Sequence, residues 1–217
     1  MDSTDPHLLM TYNCNYQVKG YTTRDEACQM GNLLGLQPDI CLLEVGAGAG
    51  WPGLFFTEEL GCDTVLMDLP LAELRTATEK AANDCISNRC RAVVADGCKM
   101  PFRDSCFDAV SHSDVLCCLQ DKRGVLEACR RVIRDSGRMV FTVIWITPGL
   151  STADHRRALE AAPEFAESET EYPELLQQTG WTVIDCLDVS RHYGSSNGAI
   201  VEELLHRDLF VATPTLT

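Results

Sequence analysis

Short apolar runs alternate with stretches of helical periodicity along most of the chain. The apolar runs predict strands over residues 40–45, 64–68, 91–95, 107–112, 138–146, 182–189 and 209–212. Between them, helical patterns are predicted over residues 24–34, 52–60, 71–81, 123–133 and 171–179. Strands that alternate with helices in this way favour parallel pairing through crossover connections. The pattern therefore predicts a doubly wound α/β domain, with helices on both faces of a mostly parallel sheet.

Two segments depart from this alternation. Residues 135–137 read Asp-Ser-Gly and predict a turn before the strand over 138–146. Residues 147–170 are polar and acidic and contain three helix or strand breakers, Pro148, Gly149 and Pro163. A segment of this length is typical of a lid or binding loop, and a surface insertion is the alternative. A short helix within it is predicted over 155–162.

Three glycines follow the first predicted strand, in the stretch CLLEVGAGAGWPG over residues 41–53. The strand ends at Val45, and the glycines lie at positions 46, 48 and 50. Because glycine has no Cβ, the backbone can turn tightly there and a ligand can approach it closely. Asp68 and Asp96 end the next two predicted strands. Since open α/β sheets bind ligands at the carboxyl ends of their strands, these features predict a nucleotide site at that edge.

Composition narrows the class of protein. The 217 residues suit a single domain over 1–217, and 45% of them are hydrophobic. The formal net charge of -14 disfavours nucleic acid as a partner, because acidic surfaces repel phosphate backbones. No apolar run is long enough to span a bilayer, and the first ten residues lack the pattern of a signal peptide. We expect a cytoplasmic monomer or homodimer with no membrane partner and with its 12 cysteines reduced.

The glycine pattern alone leaves two cofactors open. Gly48, Gly50 and Gly53 match G-x-G-x-x-G, the dinucleotide fingerprint, which would favour an NAD-type oxidoreductase. In that fingerprint the first glycine follows the strand directly, and here Gly46 occupies that place. Counted from Gly46, the third glycine position falls on Trp51. The other motifs therefore have to decide.

Those motifs resemble the class I S-adenosylmethionine (SAM)-dependent methyltransferases over essentially the whole chain. LLEVGAGAG resembles the first motif of that family, and VLMDLP and VVADGCKMPF resemble the second and third. FDAVSHSDVLCCL is similar to the fourth strand with its loop, and RRVIRDSGRMVFTV to the helix, glycine turn and fifth strand that follow. The resemblance implies a Rossmann-like, seven-stranded sheet, SAM as cofactor and S-adenosyl-L-homocysteine (SAH) as product. A SAM-binding module without catalysis is a further alternative.

The resemblance also implies which residues bind the cofactor. Asp68 would accept hydrogen bonds from the ribose hydroxyls, and Asp96 from the adenine amino group, while Leu69 and Cys98 would sandwich the ring. Glu44, the acid of the first motif, would organise the glycine loop or reach the amino end of the ligand through water. The full predicted set is Glu44, Gly46, Ala47, Gly48, Gly50, Asp68, Leu69, Asp96, Gly97, Cys98 and Ser113.

The acceptor is predicted to be a small amine or hydroxyl compound, and its site is less well defined. His112 is the candidate general base, since its ordinary pKa lies near neutrality, and a structural histidine is the alternative. Asp114 would attract a cationic acceptor or cap the next segment. Residues 1–23 are expected to form a flap that brings Tyr16 and Tyr21 to the pocket, and His155 would lie on its rim. No metal site is predicted.

Overall fold

A computed structural model gives the architecture of residues 20–190 and 204–216. Seven strands form a single sheet in the order β3-β2-β1-β4-β5-β7-β6. Their bounds are β1 Cys41–Val45, β2 Asp63–Asp68, β3 Cys90–Val94, β4 Phe107–Ser113, β5 Ile133–Ile146, β6 Trp181–Asp188 and β7 Leu205–Pro214. Strands β1 to β5 pair in parallel, whereas β7 lies antiparallel between β5 and β6. The predicted doubly wound, mostly parallel, seven-stranded sheet is confirmed.

Helices cover both faces of this sheet. Their bounds are α1 Arg24–Leu34, α2 Gly53–Phe55, α3 Leu71–Asn83, α4 Lys122–Val132, α5 Thr152–Ala161 and α6 Tyr172–Gln178. Helix α2 continues into a π-helical segment, Phe56–Leu60. Alternate strand residues enter separate core clusters: Leu43 and Val45 pack with α4 and α6, and Leu42 packs with α1. Among the described residues, no helix is long and apolar enough to cross a membrane.

Local sequence signals fix the start and end of α1. Thr23 accepts a hydrogen bond from the backbone N–H of Glu26, and the Glu26 carboxylate accepts one from the N–H of Thr23, which forms a capping box. Gly35 ends the helix with a φ of 68°, a left-handed conformation that favours glycine. Helix α1 therefore matches the predicted range.

The structure differs from the sequence prediction around residues 135–137. These residues lie inside β5 rather than in a turn before it. The pairing with β4 shifts register there, because Phe107 pairs with Ile133 whereas Ala109 already pairs with Arg138. The extra residues of β5 form an irregular bulge, so a local turn signal is absorbed within one continuous strand.

Candidate cofactor and acceptor site

The glycine turn after β1 lies at the carboxyl edge of the sheet. Gly46, Gly48 and Gly50 have φ values of 68°, 51° and 100°, all in the region that favours glycine. A Cβ at Gly46 would collide with Val115, and one at Gly50 would lie 2.5 Å from Leu54. A Cβ at Gly48 would meet nothing within 4 Å, so the space beside that residue is open. The turn is thus tightly packed at Gly46 and Gly50 and open at Gly48.

The Asp68 carboxylate fastens this turn to the end of β2. Its Oδ2 accepts a hydrogen bond of 2.7 Å from the Gly48 N–H, and its Oδ1 accepts one of 2.7 Å from the Leu69 N–H. The N–H groups of Gly46 and Ala47 donate to the Met67 carbonyl at 2.8 and 3.1 Å. The acid and the glycines that the sequence places 20 residues apart are therefore in direct contact.

The next strand end presents the second acid beside an exposed apolar surface. Asp96 is exposed, and its Oδ1 accepts a hydrogen bond of 2.9 Å from the Cys98 N–H. Leu69 is 58% exposed, which leaves an apolar surface uncovered at this edge. A Cβ added at Gly97 would lie 3.3 Å from Val125, so there is little free space on that side of the backbone. This edge thus offers two carboxylates and an uncovered apolar side chain.

Glu44 lies beneath the glycine turn, inside the core. Only 1% of its surface is exposed, and its carboxylate accepts a hydrogen bond from the Ser111 hydroxyl. Burial raises the pKa of the Glu44 carboxyl to about 7, while the bond from Ser111 opposes that shift. The structure thus places Glu44 under the loop, where it touches Ser111 rather than the open edge.

The expectation that His112 faces the acceptor is corrected. Its side chain is 0% exposed and stacks on Phe141 with 4.5 Å between ring centroids. Neither ring nitrogen has a hydrogen-bond partner within residues 20–190 and 204–216. Burial lowers the pKa of His112 to about 3, so the imidazole is neutral near pH 7. Since β4 lies in the middle of the sheet, between β1 and β5, and is buried on both faces, the structure gives His112 no access to an acceptor.

The expectation for Asp114 is corrected as well. Both of its carboxylate oxygens accept hydrogen bonds from Arg207 Nε, at 2.9 and 3.1 Å. Arg207 on β7 is 0% exposed and also donates to Glu26 Oε1 at 2.6 Å, and to the hydroxyls of Thr22 and Thr142. Asp114 therefore pairs with the buried guanidinium of Arg207, and its carboxylate is not available to bind a cationic ligand.

The other predicted residues fall in three places. Tyr21 is half-buried against the core cluster that contains Val45 and Phe210. His155 on α5 has its Nε2 at 3.1 Å from Glu167 Oε1. Ser113 is half-buried, and its hydroxyl has no hydrogen-bond partner in the described part of the chain. Tyr16 lies outside the described residues.

The segment over residues 147–170, which we call the lid, carries α5 and covers one side of a cavity. The cavity has a volume of about 390 Å³ and lies beside the carboxyl end of β5. The lid is fastened at its far end, because Lys122 Nζ donates to the Phe165 carbonyl at 2.8 Å. The Phe165 N–H donates in turn to the Cys117 carbonyl at 3.0 Å. The lid is thereby tied to the loop after β4.

Comparisons with known proteins agree with this geometry. Residues 43–141 match the model of a methyltransferase domain, and this span runs from β1 through the cofactor edge into β5. The chain is 30% identical over 146 residues to a demethylmenaquinone methyltransferase from Corynebacterium urealyticum, covering 65% of this chain and 58% of that protein. Residues 43–141 therefore form a methyltransferase domain of the class I SAM-dependent type. The cofactor of such domains is S-adenosylmethionine.

Two further similarities extend beyond this matched span. The chain is 22% identical over 171 residues to the methyltransferase GfsG from Streptomyces halstedii, covering 74% of this chain and 59% of that protein. Its fold is similar to that of geranyl diphosphate C-methyltransferase from Streptomyces coelicolor A3(2), solved with Mg²⁺, geranyl diphosphate and SAH. That match has a TM-score of 0.76 at 15% identity and covers 88% of this chain and 78% of that one. The chain spans less than two thirds of both curated relatives.

The sequence analysis did not identify Arg207, whose side chain connects β7 to three other parts of the fold. Its partners Glu26, Asp114 and Thr142 lie on α1, after β4 and on β5. In the sequence it stands between His206 and Asp208 near the chain end, 93 residues from Asp114, and resembles an ordinary surface arginine. The one available signal was that an arginine interrupts the apolar residues around 204–212, a position where charge needs a buried partner.

Proposed function

We propose that this methyltransferase domain transfers a methyl group from SAM to a small-molecule amine or hydroxyl acceptor. The observation that carries the proposal is the junction of the glycine turn with Asp68, through the 2.7 Å bond between the Gly48 N–H and Asp68 Oδ2. That junction lies at the same sheet edge as Asp96. The match of residues 43–141 to a methyltransferase domain supports SAM as the ligand of this edge.

The chemistry of the edge suits the adenosine part of SAM. Asp68 would accept hydrogen bonds from ribose hydroxyls, and Asp96 from an adenine amino group, since carboxylates accept strongly from such donors. Leu69 would pack on the adenine ring, and its 58% exposure leaves that face uncovered in the protein alone. The open space at Gly48 gives the ligand a close approach to the backbone. The unpartnered Ser113 hydroxyl is a further polar group at this edge.

The residues of the chain would contribute positioning rather than a strong base. SAM supplies a methyl group that is activated by its positively charged sulfur. An acceptor atom held near that group and shielded from water reacts faster because alignment and desolvation lower the barrier. Burial of His112 removes the sequence candidate for a general base. The acceptor would therefore lose its proton to solvent or to a carboxylate in its own pocket.

The lid over residues 147–170 would enclose the acceptor. Its cavity begins at Trp145, and Thr142, three residues earlier on β5, pairs with Ser113 at the end of β4. A strand rises about 3.3 Å per residue, so the cavity starts roughly 10 Å along β5 from the predicted cofactor edge. We also propose that residues 1–217 form one domain. Most of the predicted flap over 1–23 lies outside the described residues.

The proposal is tested by incubating the purified chain with methyl-labelled SAM and a panel of small amines and alcohols. We expect SAH to accumulate with label in at least one acceptor, detected by mass spectrometry. The Asp68→Ala variant should lose this turnover. A folded chain that binds SAM tightly but transfers no methyl group across a wide panel would favour the non-catalytic alternative.

A further inference from the structure

The cavity under the lid is lined by both aromatic rings and carboxylates. Its aromatic residues are Trp145, Tyr172 and Phe210, and its acids are Glu167, Glu171 and Asp208. Lysine and arginine are absent from its lining in the part of the chain that the structure describes. The one basic group in the lining, His155, lies 3.1 Å from Glu167. The cavity therefore has an excess of negative charge.

Asp208 is the acid best placed to define a ligand site. It lies on β7, is half-buried, and its Oδ2 accepts a hydrogen bond of 2.8 Å from the Trp145 indole N–H. That bond holds the carboxylate beside the aromatic wall. Burial raises the pKa of the Asp208 carboxyl, and nearby Asp188 adds to the shift, whereas Trp145 and His206 oppose it. A cation in the cavity would relieve this cost by supplying the opposite charge.

A polar group in the same wall also has no partner. The Tyr172 hydroxyl is buried, and none of residues 20–190 or 204–216 forms a hydrogen bond with it. Tyr172 packs against Phe210 with 6.0 Å between ring centroids, and the residue is 5% exposed. Buried hydroxyls are rarely left unpaired, because the lost bond to water costs free energy. The hydroxyl lies behind the aromatic wall, so it adds a buried polar group next to the cavity.

We propose that this cavity selects an organic ammonium ion with a small apolar body as the methyl acceptor. The aromatic walls attract a cation through their ring faces and cover its apolar part. Asp208 and the two glutamates favour the positive charge, which a neutral alcohol or terpene of the same shape would not use. This inference rests on the proposed function and names the substrate class of its acceptor site.

The chemistry of methylation is consistent with an ammonium ion. The bound nitrogen first gives a proton to water or to the Asp208 carboxylate, which restores its lone pair. The lone pair then forms the new N–C bond, while the electrons of the breaking C–S bond stay on the sulfur of SAH. The cavity thus binds the charged form and needs only one proton to leave before transfer.

The test measures binding, so that it does not depend on turnover. Choline and its neutral isostere 3,3-dimethylbutan-1-ol have the same shape and differ in charge. Each is titrated into the chain by calorimetry in the presence of SAH. We expect choline to bind at least about tenfold more tightly, equivalent to about 1.4 kcal/mol. The preference should decrease with added salt, because exposed charge interactions are screened.

Two variants and one matched control locate the selectivity. Asp208→Asn keeps the shape and the acceptor for Trp145, and it should reduce the preference for choline to below about threefold. Glu171→Gln, an exposed lining residue, serves if Asp208→Asn fails to fold, and it should reduce the preference by a smaller factor. Glu164→Gln removes the same charge from an exposed lid position outside the lining and should leave the preference unchanged.

The outcomes separate this inference from the proposed function. Equal affinity for the two isosteres, no binding of choline, or a preference that Asp208→Asn leaves intact would overturn the ammonium site. Methyl transfer to a neutral acceptor would then still agree with the proposed function. Failure of the folded wild-type chain to bind SAH would overturn the proposed function instead.

Discussion

At the scale of single residues, the Asp68 carboxylate has two backbone partners, one of which belongs to the glycine turn. Its carboxylate oxygens accept from the backbone N–H groups of Gly48 and Leu69. The sequence predicted that Asp68 lies at this edge and accepts hydrogen bonds, because an acidic residue at the end of an apolar run can be recognised in the sequence. The bond to Gly48 was not visible, since it depends on how the turn folds back.

Asp68→Ala should weaken SAM binding by at least about tenfold, from a loss of about 1.4 kcal/mol or more. The physical reason is the loss of the ribose contacts together with the bond that holds the Gly48 turn. Asp68→Asn should lose less, because its amide oxygen can still accept from Gly48. Calorimetric titration with SAM measures both variants.

The matched control for that prediction is Asp63→Ala. Asp63 begins the same strand, is exposed and lies at the opposite edge of the sheet. Its removal should leave SAM affinity unchanged. If a folded Asp68→Ala protein binds SAM as tightly as the control does, the cofactor role of Asp68 is wrong.

The buried Glu44 carboxyl makes stability depend on pH. Its pKa of about 7 in the folded chain lies above its ordinary value of 4.5. Between these values the folded state holds a proton that the unfolded chain has released, so the free energy of unfolding falls as pH rises through this window. The contribution is complete below the ordinary pKa and is lost above the folded one.

Glu44→Gln should remove this dependence, because glutamine mimics the protonated acid and can still accept from Ser111. Denaturant unfolding at several pH values measures the free energy of unfolding for both proteins. From pH 5 to 8, the wild type should lose about 2–3 kcal/mol relative to the variant. Parallel stability curves for the two proteins would show that Glu44 does not titrate in this window.

At the scale of elements, β7 is tied to α1 and to the loop after β4 through Arg207. The guanidinium donates to Glu26 and Asp114 in the core, so three distant parts of the chain depend on one side chain. Glu26 has a double role, because the same carboxylate completes the capping box of α1. This network sets the position of the Asp114 loop beside the glycine turn.

Arg207→Met should destabilise the fold by about 3–5 kcal/mol, because it leaves two buried carboxylates without their partner. Denaturant unfolding measures the change. Arg157→Met removes a surface arginine that pairs with Asp154 and should change stability by about 0.5 kcal/mol or less. Equal midpoints for the two variants would contradict the role of Arg207 as a buried link.

The lid is held at one end by Lys122, whose ammonium group donates to the carbonyls of Phe165 and Leu119. Lys122→Met keeps most of the apolar stem and removes those bonds. We expect KM for the acceptor to rise by about tenfold while the Kd for SAM stays within a factor of two, since each bond to a charged donor contributes about 1.5–3 kcal/mol. Steady-state kinetics and SAM titration measure the two quantities.

Arg91→Met provides the control for the lid, because Arg91 is an exposed cation at the start of β3, at the opposite edge of the sheet. An equal loss of SAM binding and acceptor affinity in Lys122→Met would indicate a general structural role for the residue. The lid would then not be specific to the acceptor.

Local sequence patterns predict some elements of this fold correctly, whereas other features depend on contacts between distant residues. Helix α1 and strands β1 to β4 follow from apolar periodicity and from end signals such as Thr23 and Gly35. The bulge in β5 and the full length of β7 depend on pairing between distant residues, which no local pattern encodes. Burial of His112 follows from the central place of β4 in the sheet, and the pairing of Asp114 with Arg207 depends on tertiary contacts alone.

At the scale of the whole molecule, the fold brings the two proposed sites to one edge of the sheet. The glycine turn, Asp68 and Asp96 follow β1, β2 and β3, and the lid cavity lies beyond the end of β5. Parallel pairing of these strands fixes that arrangement, because all their carboxyl ends point the same way. The net charge of -14 agrees with an edge that receives a positively charged cofactor and, as proposed above, a positively charged acceptor.

The most direct test of the central claim is a calorimetric titration of the purified chain with SAH and, separately, with NAD. We expect SAH to bind with one site per chain, SAM to compete with it, and NAD to give no measurable heat. Binding of NAD in place of SAH, or no binding of SAH by a folded chain, would contradict it.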